Sequence, residues 1–104
     1  IARHEVKCTL EDVVREGTRV LKPGGRFFMV HRPRRLIEII TVMKRHGLEP
    51  KRMKMVHPYA DREANMVLIE AVRGGGPLLK MEAPVIVFDQ NGEYSPEIRT
   101  TYGY

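Results

Sequence analysis

Leu21-Lys22-Pro23-Gly24-Gly25-Arg26-Phe27-Phe28-Met29-Val30 decides the fold, because it stops one kind of element and starts another. Pro-Gly-Gly cannot continue a helix. Phe27-Phe28-Met29-Val30 is a short, continuous apolar run, the pattern of a parallel strand covered on both faces. Upstream, Thr9 reads as an N-cap, followed by Leu10, Val13, Val14, Gly17, Val20 and Leu21 at helical spacing. Glu11 and Asp12 in the first turn and Lys22 in the last suit the helix dipole. Downstream, Pro33 suits a first helical turn, Leu36, Ile37, Ile39, Ile40, Val42 and Met43 form a broad apolar surface, and Gly47 follows as a C-terminal stop. Lys51 to His57 interleaves basic and apolar residues, as edge strands do to resist unwanted pairing. Asn65 to Val72 is nearly all apolar and belongs inside a sheet, antiparallel to its predecessor. The order is helix, strand, helix, strand, strand, whose first three elements form the back half of a right-handed parallel crossover, so the fold class is α/β.

Beyond Gly74-Gly75-Gly76-Pro77 the composition changes. Val85 to Phe88 reads as a last short strand, Asp89 to Gly92 as a turn, and Ser95-Pro96-Glu97 as the start of one helical turn. The division is therefore residues 1–74 as the main unit and 75–104 as a C-terminal extension.

The 104 residues, 42% hydrophobic and 30% charged, have the composition of one globular domain. No stretch approaches the ~20 apolar residues that a spanning helix requires, so no membrane partner is expected. A single Cys8 rules out an internal disulfide and suits a reducing compartment, with the cytoplasm expected. The chain opens on Ile1 without an initiator Met or a basic-apolar leader, and reads as a piece of something longer or one that has lost its start. The net charge of +5 is uneven: residues 1–57 carry +8 with all four histidines, and residues 58–104 carry −3. That asymmetry favours a polyanionic partner.

On these residues the chain resembles a known family. Leu21 to Gly25 followed by Arg26 to Val30 is similar to the approach to the fifth strand of class I S-adenosylmethionine-dependent methyltransferases. In that fold a helix, an edge sixth strand and a seventh strand inserted antiparallel between fifth and sixth come next. Ile1 to Glu5, Cys8 to Asp12, Met29 to Pro33, Leu48 to Arg52, Val56 to Pro58 and Glu63 to Ala71 together resemble the bacterial tRNA1(Val) adenine-37 N6-methyltransferase family. The tail from Pro84 to Tyr94 resembles that of its Gram-positive branch, so the likeness covers essentially the whole chain. The resemblance implies a Rossmann-like sheet, S-adenosyl-L-methionine as cofactor, methylation of adenosine N6, and tRNA as partner.

The family's cofactor loop after the first strand, its acid at the end of the second and its Asn-Pro-Pro-Tyr motif after the fourth have no counterpart in this chain. Gly74-Gly75-Gly76 precedes Pro77 instead of opening a helix and reads as a connector. The expectation is the C-terminal half of a methyltransferase, inactive alone, with no catalytic or cofactor-binding residue of its own. Two rivals stay open: a methyltransferase with another acceptor, rRNA or protein, and a non-catalytic basic RNA-binding module.

Open parallel sheets bind ligands beyond the carboxyl ends of their strands. That rim should carry Arg3 and His4, then His31, Arg32, Arg34 and Arg35, then His57, Tyr59 and Arg62. The arginines at positions 32, 34 and 35 run against a helix dipole, which gives them a poor structural reason and a good one for RNA phosphates. Arg3 and His4 would orient the flipped base or its phosphate, as the resemblance implies, or anchor a loop through Glu5. Tyr59 would stack a base or simply pack. His46 reads as a helix-dipole partner. His31, His57 and Cys8 lack the paired short spacings of zinc sites, and the methionines read as core filler. Finally, Phe27 to Val30 would form an edge without charge or proline to blunt it, making the strand Arg26 to His31 a site of self-association or of cover by a missing half.

Overall fold

The structure, a computed structural model, describes residues 9–102, the side chains of residues 100–102 aside. Thr9 caps helix α1 (Leu10–Arg19): its hydroxyl accepts from the Asp12 amide at 3.1 Å, and the Asp12 carboxylate accepts from the Thr9 amide at 3.1 Å. This reciprocal pair satisfies two donors that a helix start leaves free. The helix stops before Leu21, and a turn closed by Gly25 N–H to Lys22 C=O leads into strand β1 (Arg26–His31). Gly17 lies against β1. A methyl group there would sit 2.2 Å from the edge of the Phe27 ring, so the ring occupies the space that any larger residue needs. Gly17→Ala should therefore cost about 1–3 kcal/mol by overpacking, although alanine in a helix is ordinarily worth about 1 kcal/mol over glycine; a thermal melt reads the sign.

Pro33–Arg35 forms a short 3-10 turn into helix α2 (Leu36–Arg45), where Ile39 and Met43 are fully buried and Val42 nearly so, while Ile37 is exposed. Gly47, at φ +78°, takes the left-handed turn that ends the helix. Glu11 on α1 ties the pair together, accepting from Arg45 at 2.6 Å and lying 2.9 Å from His46 Nε2. His46, expected to answer the helix dipole, thus bridges two helices. Those hydrogen bonds, His46 first and Arg45 second, hold the Glu11 carboxyl below its ordinary value of 4.5. A depressed folded value means that the carboxylate stabilises the fold above pH 4.5 and loses that contribution as pH falls through the lower value. Denaturant melts below pH 4.5 should show a loss that Glu11→Gln makes smaller, the remainder coming from Asp12 and Glu16, whose carboxyls are also held low by their hydrogen bonds.

Strand β2 (Leu48–His57) begins before Pro50. The proline is tolerated because the ladder breaks there: Pro50 pairs with Ala71 and Arg52 with Glu70, leaving Lys51 as the extra residue of a bulge. The bulge also switches the buried parity, from Leu48 and Pro50 before it to Met53 after it. Strand β3 (Met66–Arg73) lies between β1 and β2 and antiparallel to both, with Met29 opposite Ile69 and Met53 opposite Ile69 on the other side. The expected insertion of this strand between a parallel pair is present.

Two expectations need correction. The outer side of β2 is not an open edge, because β4 (Lys80–Met81) and β5 (Val85–Ile86) pair with it in parallel. The interleaved basic residues hold this tail: Lys51 Nζ donates to the carbonyls of Gly76 and Pro77, while Arg52 and Lys54 reach Glu82 at 3.4 and 3.9 Å. A final helix α3 (Pro96–Tyr102), longer than one turn, starts from buried Ser95, whose hydroxyl donates to Ile86 C=O at 2.5 Å and accepts from the Ile98 amide.

The second correction concerns β1, which is covered on one face only. The core of Val14, Ile39, Met43, Leu48, Met53, Val67, Ile69 and Ala71 lies between the two long helices and the sheet. On the reverse face Phe28 is 69% and Val30 59% exposed. The same face carries Glu70, buried between Arg52 at 2.8 Å and Arg26 at 3.4 Å. Among the described residues, β1 pairs only with β3, and its other edge is open.

Candidate functional site at the carboxyl rim

β1 and β2 are parallel, so their carboxyl ends share one rim, separated by the start of β3 and hence by about 10 Å of strand spacing. At the β1 end, the His31 ring accepts at Nδ1 from the Arg32 amide, 2.8 Å away, which leaves the Nε2 of a neutral ring as donor. Arg32, in extended conformation before Pro33, and Arg34 are exposed, and no carboxylate pairs with either among the described residues. Arg35 differs. Its guanidinium holds Glu38 through contacts of 2.7, 2.8 and 3.0 Å, one helical turn on. Two of the three expected phosphate contacts therefore present free cations, and the third is occupied. Basic residues before a helix are out of place structurally, and Glu38 compensates only the last of them.

At the β2 end, His57 Nδ1 lies 2.7 Å from the Arg62 carbonyl. A carbonyl only accepts, so Nδ1 carries the proton and Nε2 is the acceptor of a neutral ring, opposite to His31. A turn closed by Arg62 N–H to Tyr59 C=O presents both side chains to solvent. Arg62 is 4.0 Å from Asp61 with both highly exposed, a contact of little consequence. Asn65 lines a shallow cleft of about 330 Å³ at the β1 end with Val30, His31, Arg32 and Met66. Arg3, His4 and Cys8 lie outside the described residues.

Sequence reasoning read the tail's elements but missed that they join the rim. The Val87 and Phe88 amides donate to the His57 and Pro58 carbonyls at 2.9 Å, carrying Phe88 onto the rim. There Phe88 stands between Tyr59, ring centroids 5.5 Å apart, and Tyr94, 5.6 Å apart. The strand and turn were readable, but nothing local specified that they would extend β2.

None of these residues forms a cradle for a cofactor. Gly74 and Gly75 are bonded to the carbonyls of Gly47 and Val72 at the amino end of the sheet, away from the rim. No cluster of His, Cys, Asp and Glu among the described residues could hold a metal ion, and no helix there is long and apolar enough to cross a membrane.

The mixed α/β architecture is similar to that of methyltransferase structures, of which the chain spans about half. A predicted O-methyltransferase, the protein Atu636 from Agrobacterium tumefaciens, is similar over 94% of this chain and 47% of its own, with a TM-score of 0.79 and 23% identity. The complex of M1.HpyAVI with SAM is similar over 75% of this chain and 50% of its own, with a TM-score of 0.50 and 11% identity. No family model matches the chain, and no curated protein matches it. These likenesses establish the fold.

Proposed function

We infer that the chain is part of an S-adenosylmethionine-dependent methyltransferase that modifies adenosine N6 in tRNA. The observation that carries the methyltransferase reading is the order β1-β3-β2 with β3 reversed, the arrangement implied by the sequence resemblance. The likeness to M1.HpyAVI, whose complex holds SAM, supports the cofactor. RNA as substrate rests on Arg32 and Arg34, two unpaired guanidiniums at the rim where open sheets take their ligands. The rest of the enzyme would supply the cofactor site and the motif that holds the target amine, since the described residues do not build them. Aligning the amine lone pair with the methyl donor is positioning work, and this half contributes by holding RNA.

The open edge of β1 and the bare Phe28 and Val30 belong to the same reading: further strands of the enzyme, or a second copy of the chain, would cover them. Calorimetry of this chain should give no heat with S-adenosylmethionine; salt-sensitive binding to tRNA, which the non-catalytic RNA-binding module also predicts, tests the RNA reading alone. Tight binding of the cofactor by this chain would contradict the reading.

A further inference from the structure

The tail does more than shield β2. Where it passes the turn at residues 59–62 it encloses a cleft of about 730 Å³, walled by Tyr59, Asp61 and Arg62 on one side and by Phe88, Asp89 and Gln90 on the other. We propose that this cleft receives one unpaired nucleotide of a single-stranded RNA segment, its base against the Tyr59 and Phe88 rings. This rests on the RNA reading above and adds a second, tail-built subsite to it.

Size, chemistry and placement point the same way. The volume falls within the range of small-ligand clefts, roughly 300–1,000 Å³. The two rings offer the aromatic surface on which unstacked bases settle. Asp61 and Asp89 make the cleft a poor basin for phosphate and a good one for the donors of a base. One Asp89 oxygen is already taken by the Asn91 and Glu93 amides, at 2.8 and 3.0 Å, which fixes the carboxylate in the turn. Gln90 beside it can both donate and accept, and with the carboxylates this suits adenine, whose exocyclic amine donates next to an accepting ring nitrogen, better than uracil. The phosphates on either side would then run outward to Arg62 and, across the start of β3, to Arg32 and Arg34. Tyr59 is held by Phe88, and Phe88 by the Pro58 carbonyl, so the wall is pre-formed by the same hydrogen bonds that add β5 to the sheet.

Shift mapping of the labelled chain by NMR, titrated with adenosine 5′-monophosphate, uridine 5′-monophosphate, inorganic phosphate and a single-stranded oligoadenylate, tests this. Expected are shifts at Tyr59, Phe88 and Gln90 with the adenine probes, weaker ones with the uridine nucleotide and none with phosphate. Tyr59→Leu should weaken the oligoadenylate about tenfold, and Gln90→Ala should narrow the preference for adenine, both with an unchanged circular dichroism spectrum. Shifts confined to Arg32 and Arg34 would overturn the cleft and leave the RNA reading standing. Binding to no RNA at all would overturn both.

Discussion

Ile69→Ala should destabilise the chain by about 2–5 kcal/mol, the range for emptying a fully buried aliphatic site. Ile69 is 1% exposed on β3, the strand with a partner on each side, and faces the helices with Val67 and Ala71. Few neighbours can close the gap, because the residues opposite it, Met29 and Met53, are tied to the same ladders. In a domain whose whole stability is on the order of 5–15 kcal/mol, this is a large share, and the midpoint of a thermal melt should fall by on the order of 15 °C. Phe28→Ser provides the contrast. Although Phe28 is larger, its ring lies on the bare face, so the loss should stay within about 0.5 kcal/mol. Equal losses from the two would mean that the reverse face is covered in solution.

The second large effect is on RNA. Reversing Arg32 and Arg34 to glutamate should lower tRNA affinity by on the order of tenfold per residue near physiological salt. It should also reduce the slope of log affinity against log salt by about 0.7–0.9 per contact, because each phosphate neutralised releases counterions. Folding should not change, since neither side chain has a carboxylate partner among the described residues. Glu38→Gln should act in the opposite direction by releasing the Arg35 guanidinium from its three contacts. An unchanged salt slope in the double variant would remove these arginines from the interface.

Elements whose signals are local were legible in the sequence. Thr9 with Asp12 marked a helix start, Pro33 a first turn and Gly47 a stop, and all three positions do that work. The nearly all-apolar run from Met66, broken only by Glu70, correctly placed β3 inside the sheet. Signals that depend on distant partners were not legible. Phe27 to Val30 reads the same whether one face or both are covered, because a continuous run carries no alternation. The basic alternation around Lys51 to Lys54 reads the same whether it repels a strand or holds one, and Glu82 decides it. Among the site residues, Arg32 and Arg34 were visible as cations out of place on a dipole, but that Glu38 would occupy only Arg35 depends on side-chain reach. Phe88 entered the rim through a pairing that no local pattern specifies.

Nucleoside mass spectrometry of tRNA, from cells whose coding sequence for this chain is disrupted and then restored, tests the central claim most directly. The account predicts that N6-methyladenosine disappears from a tRNA species on disruption and returns on restoration. Unchanged N6-methyladenosine in every tRNA, with a methyl group missing from rRNA, from protein or from nothing, would contradict it.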